Sequence, residues 1–370
     1  MINLDHAATT PLRPEALNAM LPYFTEHAAN ANALYAEGRR ARAAIDATRR
    51  QIADAIHAKP AEIYFTGSGS EADNWALFGA MRAMAGKNHI VTTQVEHHAI
   101  LNACAALEKL GYEVSYVPVD RQGRVDPEAI ENAIRPETGM ISVMLANNEV
   151  GTIQPISEIA KVAHMHGALM HTDAVQAVGH IPVDVEALDV DLLSVSAHKF
   201  YGPKGIGALY IRNGVKMTNL IYGGEQERGL RAGTENTPAI VGMGKALSLS
   251  CAELEQTAER IRALRNLLEG EITRRFPNAI INGDRDNRLP GTLHVTFPGE
   301  DTNMLLMRLD MEGIAVSAGS ACAAGARERS HVIRAMHVPE GADVRFSLGN
   351  ENDETQIRQA VDALCRVMNG

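Results

Sequence analysis

Leu193-Ser194-Val195-Ser196-Ala197-His198-Lys199-Phe200 decides the reading of this chain. An apolar run rich in β-formers ends abruptly in Ser, His and Lys. A lysine at the mouth of a buried strand is costly unless its charge is paired or neutralised. A Schiff base with an aldehyde cofactor, above all pyridoxal phosphate (PLP), makes use of such a lysine. Taken alone, the stretch fits a surface lysine just past a strand end better, so the choice rests on what surrounds it.

Outward from this run, strand-like and helix-like segments alternate. Strands are expected at 62–66, 89–93, 113–117, 141–146, 168–172, 192–196 and 206–211, with helical patterns at 71–85, 98–110 and 156–166. Short apolar strands between helices predict an α/β fold: a mainly parallel seven-stranded sheet with helices on both faces. A charged helix over about 252–276 leads to a smaller α+β unit, with strands near 292–297 and 344–348 and helices near 301–312 and 353–368. The expected division is a large domain at 12–251 and a small domain formed by 1–11 and 252–370. The arginines at 39, 40, 42, 49 and 50 read as one solvated helix face.

Ligands of such sheets gather at the carboxyl ends of the strands. Gly67-Ser68-Gly69-Ser70-Glu71 reads as a turn opening a helix, where backbone N–H groups and the helix dipole favour a phosphate. Ser68 and Glu71 equally fit an ordinary capping box. Asp173 follows another strand and suits a pyridine nitrogen, or the N-cap of a following helix; Gln176 lies three residues on. His97, Asn148, Ser196, His198 and Lys199 also follow strands. Their recurrence at one sheet edge favours a single site over separate coincidences.

Composition sets the boundaries. The chain has 370 residues, 45% of them hydrophobic and 22% charged, as in ordinary globular enzymes. A net charge of −10 argues against general nucleic-acid binding. No apolar run is long enough for a bilayer, and MINLDHAATTPL does not resemble a secretory signal. Cys104, Cys251, Cys322 and Cys365 are scattered without a CxxC pair, which fits a reduced cytoplasmic setting better than zinc or disulfides. His164 and His166 lie two apart on a helix and face different ways, so no metal site is expected.

Asp5-His6-Ala7-Ala8-Thr9-Thr10, Glu96-His97-His98, Asn147-Asn148-Glu149-Val150-Gly151, Asp173-Ala174-Val175-Gln176, Ser196-Ala197-His198-Lys199, Arg231-Ala232-Gly233-Thr234-Glu235-Asn236, Ser317-Ala318-Gly319-Ser320-Ala321-Cys322 and Val344-Arg345-Phe346-Ser347 occur in order. Together they resemble the cysteine desulfurases, in the NifS-like group of fold-type I (class V aminotransferase) PLP enzymes. The resemblance implies that Lys199 carries the cofactor, Asp173 pairs with its ring nitrogen and Gln176 bonds its phenolic oxygen. It implies His97 over the ring as acid or base, and Gly69, Ser70, Ser196 and His198 around the phosphate. Thr234 would reach the cofactor of a second subunit in a homodimer. Asn148 and Arg345 would bind the substrate carboxylate, and Cys322 would attack the substrate sulfur.

The residues around Cys322 agree. Residues 317–326 are almost all small and lack the periodicity of a core element, and Gly319 and Gly325 permit wide backbone excursions. A nucleophilic thiol needs to be available as thiolate. The other three cysteines lie in or beside helical patterns and are assigned to packing. The chain departs from the family at Asn30-Ala31-Asn32-Ala33-Leu34-Tyr35, at Ala323-Ala324 and at Glu225. The expected reaction converts L-cysteine to L-alanine and a persulfide on Cys322. The sulfur would then pass to an acceptor protein for iron–sulfur assembly or tRNA or cofactor thiolation. The alternatives are a selenocysteine lyase or aminotransferase on the same fold, or a non-catalytic scaffold.

Overall fold

The computed structural model describes residues 1–319 and 329–369. The strands, in chain order, are β1 (Ile2–Asn3), β2 (Ile63–Thr66), β3 (His89–Thr93), β4 (Glu113–Val117), β5 (Thr138–Ser142) and β6 (Leu169–Asp173). They continue with β7 (Leu192–Ser196), β8 (Gly207–Ile211), β9 (Ile280–Asn282), β10 (Thr292–Phe297), β11 (Ile314–Ala315) and β12 (Ala342–Ser347). Seven of them form one sheet in the order β2-β8-β7-β6-β5-β3-β4. Only β8 runs against its neighbours.

Side-chain alternation explains why this sheet is covered on both sides. Val91, Ile141, Leu193 and Val195 enter one apolar cluster. Their neighbours Ile90, Met140 and Leu192 enter a second, which includes Trp75 and Leu77 of the helix Gly69–Ala83. Continuous apolar strands therefore fill two cores, and their polar ends emerge at one edge.

A three-stranded antiparallel sheet, β12-β10-β9, and the parallel pair β1–β11 share a separate core of Leu4, Leu268, Leu293, Phe346 and Leu364. The helices Leu254–Arg275 and Glu354–Asn369 pack against each other beside it. Among the described residues, no helix is long and apolar enough to cross a membrane.

Two expectations need correction. The strand expected at 141–146 lies at Thr138–Ser142. Beyond it the Met144 N–H bonds the Glu96 carboxylate at 3.0 and 3.1 Å, and Asn147 Oδ1 accepts from the N–H groups of Glu149 and Val150, closing a turn. Arg49 is not on a solvated face. It is buried against Glu227 through a bidentate pair at 2.7 and 2.8 Å, which satisfies both charges inside.

Candidate active site

Each strand end delivers one kind of group. β7 ends at Ser196 and turns through Ala197–Lys199. The half-buried Lys199 Nζ donates to the carbonyls of Ala7 at 2.5 Å and Ala8 at 2.9 Å. β6 ends at Asp173, which is 5% exposed and accepts the Val175 N–H at 2.9 Å. Burial pushes its carboxyl up to about 6, while the Val175 N–H and the Lys199 charge oppose that. Gln176 Nε2 donates to the Ala7 carbonyl at 3.1 Å.

His97 caps the helix His98–Glu108, its Nδ1 accepting the Ala99 N–H at 3.1 Å. That bond assigns the ring proton to Nε2. Burial, then Lys199 and the neighbouring His98 and His331, push His97 down to about 4, so the ring is neutral at neutral pH. His198 Nδ1 lies 3.1 Å from Thr9 Oγ1. Burial, with the Lys199 charge, lowers it to about 4.

The helix Gly69–Ala83 opens directly after β2. Ser68 caps it by accepting the Glu71 N–H at 3.1 Å. The Glu71 carboxylate does not return to the Ser68 N–H, so the capping box is incomplete; it bonds the Gly67 N–H at 2.7 Å and the Arg231 guanidinium at 2.8 and 3.0 Å. The first N–H groups, at Gly69 and Ser70, have no intrahelical acceptor and suit an anion. A Cβ on Gly69 would sit 2.8 Å from Val175 Cγ2 and 3.1 Å from Ser196 Cβ, which explains why this cradle needs glycine.

These groups line one cavity of about 200 Å³, together with Asn148 and Arg345. Arg345 is 1% exposed and donates to Asp5 Oδ1 at 2.6 Å and the Asn148 carbonyl at 2.8 Å. Its Nε has no hydrogen-bond partner. The donor set fits PLP: an amine for the aldehyde, a buried carboxyl for the ring nitrogen, an amide for the phenolic oxygen and a helix N-terminus for the phosphate.

Two expected site residues stand apart from this geometry. Thr234 is exposed and does not line the cavity. Cys322 lies outside the described residues, but both flanks of its segment adjoin the site. Ser317 pairs with Arg345, and Ser330 Oγ donates to Glu149 Oε2 at 2.5 Å, beside Asn148. The sequence reading quoted Asp5, Ala7, Ala8 and the deeply buried Glu96 within its motifs but gave them no role, and it passed over Asp73. Asp73 carried a signal: a carboxylate among Ala72, Trp75, Ala76 and Leu77 has no place on a helix face turned to the core.

The profile of the class-V aminotransferase family matches residues 2–360. The chain belongs to that family of PLP-dependent, fold-type I enzymes. Within it, the chain groups with the cysteine desulfurases. It is 48% identical to cysteine desulfurase IscS of Dictyoglomus turgidum, over 99% of this chain and 94% of that one. It is 46% identical to the cysteine desulfurase of Gluconacetobacter diazotrophicus, over 98% and 92%. A solved NifS-like protein superposes with a TM-score of 0.94 at 36% identity, covering 100% of this chain and 99% of that one. SspA in complex with cysteine gives 0.84 at 36% identity, over 94% and 99%.

Proposed function

We propose that this cysteine desulfurase takes sulfur from L-cysteine with Cys322 as nucleophile and Lys199, Asp173 and Arg345 as the principal groups of the cavity. One observation carries the reading. The Lys199 amine, the Asp173 carboxyl, the start of the helix Gly69–Ala83 and the Arg345 guanidinium converge on one cavity flanked by both described ends of the Cys322 segment.

When bound, PLP supplies the electron sink that makes the substrate Cα–H and Cβ–S bonds labile. The protein does the rest. Arg345 and Asn148 hold the substrate carboxylate. Lys199 would anchor the cofactor and serve as the base for the substrate Cα proton. The neutral His97, lining the same cavity, would act as a further proton donor or acceptor. Gly69, Ser70, Ser196 and His198 hold the phosphate, and Gln176 the phenolic oxygen. The Cys322 thiolate forms an S–S bond with the substrate Sγ as the Cβ–Sγ bond breaks. Its electron pair stays with the carbon fragment, which takes up a proton and leaves as L-alanine. A persulfide remains on Cys322 for an acceptor protein.

The same reading assigns Thr234 to the cofactor of a second copy in a homodimer, a large cofactor unit at 12–251 with a smaller one from 1–11 and 252–370, and a reduced cytoplasmic setting. The acceptor is an iron–sulfur scaffold or a thiolation enzyme. Mass spectrometry after incubation with cysteine tests the assignment: added sulfur is expected on Cys322. Cys322→Ala keeps the visible absorbance of lysine-bound cofactor yet forms no sulfide, whereas Lys199→Ala loses that absorbance. Full cysteine turnover by Cys322→Ala, or sulfur found on Cys104 or Cys365, refutes it.

A further inference from the structure

Asp73 lies one turn into the helix Gly69–Ala83 and is 1% exposed. It lines the cofactor cavity, and one polar atom from each of Asp73, Asp173 and His97 lie within 4.8 Å of one another. Its Oδ1 is buried without a hydrogen-bond partner. Its ion-pair contact is with His171 Nε2 at 3.9 Å, but burial pushes that imidazole down to about 3, so it carries no charge at neutral pH.

We propose that Asp73 and Asp173 carry a single negative charge between them at neutral pH, and that Asp73 is a positioning residue that raises the pH at which the pyridine nitrogen of the cofactor loses its proton. Two buried carboxylates this close do not both ionise at neutral pH. Asp173 keeps the charge, because the Val175 N–H and Lys199 favour its ionised form. Asp73 keeps the proton: burial and the Asp173 charge raise its carboxyl well above the usual range, and the opposing hydrogen bond from Ser194 does not offset them. The other titratable groups around the pair give no relief. His171 on β6 and His97 are neutral, and Glu96, also after β3, is an acid pushed up to about 8 by burial. Lys199 is the cation, and in the loaded enzyme its amine is committed to the cofactor.

The consequence is a protonation order. As pH rises, the first proton to leave comes from Asp73. The carboxylate left behind adds a second negative charge beside the pyridinium, which then holds its own proton more tightly. Without Asp73 the pyridinium is the first group to titrate.

The inference rests on Asp173 facing the ring nitrogen, and the test separates the two. Holoenzymes loaded with isotopically labelled PLP are titrated from neutral to alkaline pH, reading the ring-nitrogen NMR shift. Asp73→Asn is expected to move the midpoint down by about one pH unit or more, a tenfold loss of proton affinity. Asp73→Ser serves if the Asn variant does not load, since either removes the ionisable group. A merely structural role for Asp73 changes loading or stability and leaves the midpoint in place. Asp173→Asn is expected to remove pyridine protonation across the range; if it does not, Asp173 is misplaced. If Asp173→Asn behaves as expected and a folded, loaded Asp73 variant keeps the wild-type midpoint, the single shared charge is refuted. The absence of a neutral-carboxyl band from the wild-type minus Asp73→Asn infrared difference spectrum of the holoenzymes at neutral pH refutes it as well.

Discussion

Replacing Arg345 isolates substrate capture from cofactor chemistry. Its guanidinium already gives one N–H to Asp5 and one to the Asn148 carbonyl, at 2.6 and 2.8 Å, and its Nε is unpartnered. The remaining donors suit the planar carboxylate of an amino acid. A hydrogen bond to a charged group contributes about 1.5–3 kcal/mol. Two such bonds lost at the lower end, about 3 kcal/mol, raise KM for cysteine roughly 150-fold in Arg345→Ala. Arg345→Lys keeps the charge but loses the fork, and about a tenfold rise is expected. The fold suffers less. The Asp5 side chain is 22% exposed, so water reaches the carboxylate left behind and the cost stays below the roughly 3–5 kcal/mol of a fully buried broken pair. The assay is steady-state alanine formation against cysteine concentration, with visible absorbance confirming cofactor loading. A folded, loaded Arg345→Ala enzyme with KM within about threefold of wild type refutes the assignment, since such a change is under about 0.7 kcal/mol.

Two further outcomes follow from the same geometry. Gly69→Ala places a methyl group 2.8 Å from Val175 Cγ2 and 3.1 Å from Ser196 Cβ, so the phosphate cradle has to open; cofactor titration of the apoprotein is expected to show at least a tenfold weaker Kd, about 1.4 kcal/mol, and unchanged affinity counts against a phosphate site there. The Glu96 carboxyl is pushed up to about 8 by burial, so on raising the pH the unfolded chain releases this proton first, near the ordinary 4.5, while the folded chain keeps it until about 8. Stability from this group therefore falls across that window. Glu96→Gln should flatten the decline in denaturant unfolding measured across it, and parallel curves for wild type and variant would exclude the effect.

What the sequence made legible was local. Apolar runs ending in polar residues marked β3 and β7 to the residue, and polar–apolar alternation marked β4, because such patterns need no partner to be read. Lys199, Asp173 and His97 drew notice because they follow apolar strands, but the choice of Lys199, Asp173, Gln176, His97 and Arg345 as one set came from the family motifs; all five line the cavity. Asp5, the Ala7 and Ala8 carbonyls and Asp73 were not legible in either way. Backbone carbonyls have no signature, and the partnership of Asp5 with Arg345 spans 340 residues. Arg49 was misread because helical spacing reveals a face, whereas its burial depends on Glu227, far along the chain. The shifted end of β5 has the same origin, a carboxylate from another loop taking the Met144 N–H.

The opening residues 5–10 explain how the cavity keeps two cations in place. Lys199 Nζ rests on the carbonyls of Ala7 and Ala8, Gln176 on Ala7, and Arg345 on the Asp5 carboxylate. The segment is itself held from both sides. The N–H groups of His6 and Ala7 bond Ser347 at the end of β12, while the Thr10 N–H and hydroxyl bond the His198 carbonyl after β7. It therefore joins the end of the small antiparallel sheet to the end of the seven-stranded one. Carbonyl oxygens stabilise an ammonium without neutralising it. An amine held this way is oriented at the cavity, and under the proposed function it would be free to exchange these carbonyls for a bond to the cofactor aldehyde. A carboxylate side chain at position 7 or 8 would instead fix the charge and oppose that exchange.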